Sequence, residues 1–223
     1  MRSERLRWTG VGCALLAALL TALVLAGWQP LLSYDARVAR DLHGYAVVHP
    51  GVTQAMRVLS DWVWDPWTMR ALAAFACVWL WRGGDRERAL RVALATVIAS
   101  VVQQGMKALV GRERPVWTDP VDSAHYAAYP SGHAMTATVV CGMLLWLLPR
   151  KTPGRRVAAA WALAGVSVLG VGFTRVYLGV HWPTDVLAGW LLGVALVALV
   201  TGVARGRLRS RTCPAAARPP ARP

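Results

Sequence analysis

Arginine, histidine and aspartate stand at fixed spacing in the segment Thr174-Arg175-Val176-Tyr177-Leu178-Gly179-Val180-His181-Trp182-Pro183-Thr184-Asp185, which adjoins long apolar runs. Two other segments supply matching parts, Lys107-Ala108-Leu109-Val110-Gly111-Arg112-Glu113-Arg114-Pro115 and Pro130-Ser131-Gly132-His133. Pro183 suits the first turn of a helix, where its missing N–H costs nothing, so a helix is expected to begin at Trp182 or Pro183. His181 then lies just before that helix and Asp185 in its first turn. A carboxylate there fixes one imidazole tautomer and stabilises the charge that develops when the other ring nitrogen attacks. Ser131 is a good N-cap, and Gly132 lets a ligand approach the backbone. Free amides at that helix start favour anions, and His133 is placed to give a proton to a departing oxygen. Lys107, Arg114 and Arg175 together suit the oxygens of a phosphate under attack. Arg112 is a further candidate, although the adjacent Glu113 offers an alternative partner. Each segment alone is more often structural, a helix cap or a pair of interfacial cations; the combination points to phosphoryl chemistry.

These groups must be held by elements that the apolar pattern reveals. Of 223 residues, 56% are hydrophobic, and they fall in blocks of about 20, the length that crosses a bilayer as a helix. Spans are expected near Val11 to Leu31, Pro66 to Trp81, Ala89 to Val110, Ala134 to Leu148, Val157 to Phe173 and Val186 to Val203. The fold class is therefore an all-α polytopic membrane bundle of about six helices. Trp28, Trp67, Trp81, Trp146 and Trp182 fall near span ends, where indole rings favour the interface.

The net charge of +14 is unevenly spread. Clusters precede the first span (Arg2, Arg5, Arg7), separate the second from the third (Arg82, Arg86, Arg88, Arg91) and the fourth from the fifth (Arg150, Lys151, Arg155, Arg156), and follow the sixth (Arg205, Arg207, Arg209, Arg211, Arg218, Arg222). These hold 17 of the 25 Lys and Arg, which places both termini on the cytoplasmic side. All three chemical segments then fall on the opposite, extracytoplasmic face. No basic stretch accompanies a nucleic-acid-binding motif, so the partner expected is the bilayer and its lipids.

Between the first two spans, Ser33 to Asp65 reads as irregular at first. Val52, Ala55, Met56, Leu59, Trp62 and Val63 then recur at near-helical spacing, as in a helix lying in the interface. His43 and His49 have no partner at informative spacing and read as surface residues. Cys13, Cys77 and Cys141 fall in spans, and neither they nor Cys213 suggest a disulfide or a zinc site. The first span reads as an uncleaved anchor rather than a signal peptide. Residues 1–211 are expected to form one integral-membrane domain and 212–223, rich in proline, a disordered cytoplasmic tail.

Taken in order, Lys-x6-Arg-Pro, Pro-Ser-Gly-His and Arg-x5-His-x3-Asp resemble the motifs of the type 2 phosphatidic acid phosphatases, membrane relatives of the vanadium-dependent haloperoxidases. The similarity runs from about the second span to the sixth. It implies metal-independent, cofactor-free hydrolysis of a lipid phosphate through a phosphohistidine intermediate. By that resemblance Lys107, Arg114 and Arg175 bind phosphate with Ser131 and Gly132, His133 is the general acid, His181 the nucleophile and Asp185 its partner. Thr174 departs from the pattern, which usually has serine, but keeps a hydroxyl. Phosphatidic acid, phosphatidylglycerol phosphate and undecaprenyl pyrophosphate all fit as substrates. Phosphotransfer to another hydroxyl, or non-catalytic binding of a lipid head group, would use the same residues.

Overall fold

The computed structural model describes residues 2–149 and 151–210, which form eight α-helices and one π-helical turn. Helix α1 covers Arg2–Leu25, α2 Gln29–Val48 and α3 Pro50–Val58; the π-helical turn Leu59–Val63 leads into α4, Pro66–Arg82. Then come α5 (Arg86–Val110), α6 (Gly132–Leu147), α7 (Gly154–Tyr177) and α8 (Pro183–Ser210). The greater part of each of the six expected spans is helical, the first breaking after Leu25. Four segments, Glu4–Leu25, Arg86–Val110, Gly154–Tyr177 and Pro183–Gly202, are long and apolar enough to cross a membrane; Gly132–Leu147 is apolar but shorter.

Helix α6 is the hub. Nine of its residues, from Gly132 to Met143, are buried, because α8, α7, α5 and α4 surround it. A helix apolar on every side can satisfy itself only in such a position or in lipid. Its contact with α8 is close because Gly189 and Gly193 lie one turn apart. A Cβ on Gly189 would come within 2.7 Å of the Ser131 carbonyl, and one on Gly193 within 2.7 Å of Thr138 Cβ. Small residues at this spacing let helix backbones approach. Outward, large apolar side chains cover the bundle: Leu15 and Leu19 on α1, Phe75 and Trp79 on α4, Val97 and Val101 on α5, Val166 and Leu169 on α7. A surface of that extent needs lipid around it.

Several boundaries differ from those expected. The first span ends at Leu25 rather than Leu31, since Gly27 takes a left-handed φ of +65° and turns the chain into α2. The stretch after Ser33 is not irregular but the regular helix α2. Its buried stripe, Asp35, Ala39, His43 and Ala46, is half polar, which hides the helical period from a hydrophobicity pattern. The later apolar period is helical as expected, as α3 and the π turn. His43 is not a surface residue: it stacks on Trp117 at 4.1 Å between ring centres. His49 is partly exposed, stacked on Tyr45 and bonded to its carbonyl. Cys13, Cys77 and Cys141 are free thiols within α1, α4 and α6. Cys213 and the proline-rich tail lie outside the described residues.

Candidate active site

The segments that carry chemistry meet at one end of the bundle because each lies at a helix end. Lys107 is in the last turn of α5, which stops at Gly111 in a left-handed C-cap with φ +59°. The chain then runs without helix from Arg112 to Ser131 and folds back on itself, Ala128 N–H donating to the Arg112 carbonyl at 2.8 Å. Lys107 Nζ reaches up to the Ala127 carbonyl at 2.6 Å.

The Arg-x5-His-x3-Asp spacing has a structural reason. Arg175 closes α7, and its carbonyl accepts from the N–H groups of Val180 and His181, each at 3.2 Å, so the turn returns His181 beneath the helix end. Gly179 makes that turn possible with φ +69°, and a Cβ there would meet Trp117 Nε1 at 2.5 Å. Helix α8 starts at Pro183, as expected, with Asp185 in its first turn. Asp185 Oδ2 accepts from Trp182 N–H at 2.9 Å, half of a capping box, and stands 3.3 Å from His181 Nδ1. With Nδ1–H directed at the carboxylate, Nε2 keeps its lone pair. That nitrogen lies 3.2 Å from Arg114 Nη1.

Arg114 is anchored by the loop. Nε donates to Tyr126 O at 2.9 Å, Nη2 to His125 O at 3.1 Å, and Nη1 to Val180 O. Burial, and then the charge of Arg175, lowers its pKa to about 10, so it stays cationic at neutral pH. His181 is fully buried, and burial together with Arg114, Arg175 and Lys107 pushes its pKa well below the ordinary histidine value. The imidazole is therefore neutral and nucleophilic at pH 7. The charges of Arg175, Arg114 and Lys107 also act on His133, at the start of α6, so both histidines face the same cations.

Ser131 occupies the N-cap position of α6, but its hydroxyl does not cap the helix. Its N–H donates to the Asp185 carbonyl at 2.9 Å, joining the two helix starts. Ser131 Oγ is buried without a partner, as is Arg175 Nε. Neither atom has its hydrogen-bonding capacity met within the protein. Gly132 packs on Gln103 of α5, whose amide a Cβ would strike at 2.4 Å. Thr174 is buried and turns its hydroxyl back to Val171 O at 2.8 Å. Arg175 lies in α7 rather than in the loop after it, and Nη1 donates to Ser60 Oγ at 2.8 Å.

Arg112 has a different position from the other cations. It donates to Asp185 Oδ1, Asp35 Oδ2 and Thr184 Oγ1, all at 2.7 Å, and lies over the Trp182 ring. Its guanidinium is spent on protein oxygens behind the carboxylate that faces His181. Asp35, wholly buried, also accepts from Thr184 N–H at 3.0 Å and so caps the start of α8 from α2. Asp35, Ser60, Asp61, Asp122 and Gln103 belong to no motif and escaped the sequence reading.

The structure is thus a helical membrane bundle that gathers a histidine–aspartate pair and three cations at one end. The chain belongs to the PAP2 superfamily, whose model matches residues 88–209, more than half its length. It is 37% identical over 99 residues to phosphatidylglycerophosphatase B of Bacillus subtilis, covering 44% of this chain and 48% of that protein. With the undecaprenyl-diphosphatase of Sulfolobus acidocaldarius it shares 33% over 114 residues, 48% of this chain and 51% of the other. The chain thus spans about half the length of these relatives. The crystal structure of a transmembrane PAP2-type phosphatidylglycerolphosphate phosphatase from Bacillus subtilis superposes with a TM-score of 0.79 at 24% identity. That match covers 89% of this chain and 97% of the other.

Proposed function

We propose that this protein is a membrane lipid phosphate phosphatase that works through a phosphohistidine, and that it needs no metal. The observation that carries the proposal is the orientation of His181: Nδ1 on Asp185, Nε2 among Arg114 and the other cations. Lys107, Arg114 and Arg175, with the Ser131 hydroxyl and the Gly132 amide, take the phosphate oxygens. Nε2 of His181 attacks phosphorus, forming an N–P bond as the ester P–O bond breaks; His133, which takes up a proton once the bound phosphate offsets the surrounding cations, gives that proton to the departing lipid oxygen. Asp185 holds the imidazolium charge. A water then attacks phosphorus, gives its proton to His133, and releases inorganic phosphate and neutral His181.

The relatives' named activities, on phosphatidylglycerophosphate and on undecaprenyl diphosphate, support a phosphate or diphosphate on a lipid as substrate. Arg82, Arg86 and Arg91 flank the α4–α5 connection, at the end of the bundle remote from Lys107, which supports a site on the extracytoplasmic side and cytoplasmic termini.

The test is phosphate release from phosphatidic acid, phosphatidylglycerol phosphate and undecaprenyl diphosphate by purified protein in detergent with excess chelator. His181→Ala should lose at least 10³-fold in kcat, as removal of a covalent nucleophile does, roughly the loss seen for such groups elsewhere. It should still bind inorganic phosphate. Arg175→Ala should weaken binding and turnover together. Release that stops with chelator, or survives His181→Ala, would reject the mechanism.

A further inference from the structure

Arg175 meets the protein through one edge of its guanidinium. Nη1 donates to Ser60 Oγ and lies 3.6 Å from Asp122 Oδ2 and 3.8 Å from Asp61 Oδ1. Nε, by contrast, is buried and without a partner. The chain therefore holds the Nη1 edge and leaves the Nε edge to a ligand. Ser60 and Asp61 come from the π-helical turn Leu59–Val63, and such turns recur where a helix must present side chains at a functional site. Asp122 arrives from the opposite direction, on the loop between α5 and α6.

Two carboxylates beside phosphate-binding cations are not what a site built only for grip requires. Asp122 is largely buried, with 15% of its side chain exposed, while Asp61 is about half exposed, at 47%. Burial and the charge of Asp122 raise the Asp61 pKa, against the pull of Arg175, so the two acids feel one another. Asp185 and Asp35 share the single charge of Arg112. Lys107, Arg114 and Arg175 are opposed by Asp61 and Asp122 as well, so the positive charge of the site is local to the three cations rather than a net excess. A phosphomonoester dianion held directly by those cations is attracted, whereas the additional phosphate of a diphosphate brings further negative charge toward both carboxylates.

We infer that Asp61 and Asp122 act as a charge filter that makes this site favour lipid phosphomonoesters over lipid diphosphates. The inference rests on the phosphatase reading for its consequence, but the filter itself is a property of anion binding. Both acids also orient Arg175; a purely orienting role would affect every anion alike.

The experiment compares binding of inorganic phosphate and of pyrophosphate to the full-length protein in detergent, by calorimetry at low salt, for wild type, Asp61→Asn, Asp122→Asn and the double variant. Removing two carboxylates a few ångströms away should improve pyrophosphate affinity relative to phosphate by about tenfold, and the gain should shrink as salt screens it. Asp61→Glu, which keeps the charge, should retain the wild-type ratio. In parallel, kcat/KM for undecaprenyl diphosphate relative to phosphatidylglycerol phosphate should rise in the Asn variants. An unchanged affinity ratio, or equal loss for both anions, would overturn the filter. A shifted ratio in a protein that hydrolyses none of the lipids would instead reject the phosphatase reading and keep the filter. Should Asp122→Asn fail to fold, the half-exposed Asp61→Asn carries the test alone.

Discussion

The neutrality of His181 has a cost that appears outside catalysis. In the folded chain burial and three neighbouring cations keep the imidazole from taking a proton. In the unfolded chain it titrates near its ordinary value of about 6.5. Between those two values the unfolded state binds more protons, so stability rises with pH and is lost as pH falls below about 6.5. Thermal unfolding in detergent should therefore show a midpoint that drops from pH 8 to pH 5, and His181→Gln should flatten that drop. A variant with the same pH slope as wild type would mean the imidazole is protonated in the fold. Sequence was informative here because His181 and Asp185 lie four residues apart and share one helix start. It was silent on Asp35, Ser60, Asp61 and Asp122, whose partners come from distant segments: an acid that pairs with Arg112 or Arg175 across the bundle leaves no local spacing to read.

At the scale of elements, the site depends on how closely the starts of α6 and α8 approach. Ser131 N–H donates to the Asp185 carbonyl, and Gly189 lies against that same Ser131. Gly189→Ala would set a methyl 2.7 Å from a backbone carbonyl that has no freedom to move aside. Overpacking of this kind costs about 1–3 kcal/mol, so the unfolding midpoint should fall, and catalysis should fall with it as Ser131 and Asp185 separate. Glycine substitution at Gly12, which has open space around it, should change neither. A Gly189→Ala protein with wild-type stability and turnover would show that the two helices are not held at this distance. The apolar blocks foretold α6 and α8 because span composition is a strong signal. They did not foretell α2, whose inward stripe carries Asp35 and His43; a helix that turns polar groups toward a site looks irregular to a hydrophobic pattern.

For the whole molecule, the distribution of charge makes a statement about sidedness that geometry supports from a second direction. Gly10, near the start of α1, packs on Ala198 of α8, and Thr21, near its end, bonds to Tyr129 beside the α6 start at 2.8 Å. Helix α1 therefore runs from the end remote from the site toward it. Arg5 and Arg7 then share the remote end with Arg86, Arg88 and Arg91, at the start of α5, and with the α6–α7 connection. Positive clusters remain on the cytoplasmic side of a membrane, so the opposite end, with Arg114 and His181, should face outward. A cysteine at Val116, 90% exposed on the loop between α5 and α6, should react with a membrane-impermeant maleimide in intact cells, while one at Arg86 should react only after permeabilisation. The reverse pattern would put the proposed phosphatase chemistry on the cytoplasmic face, and the lipid pool it draws on would have to be that of the inner leaflet.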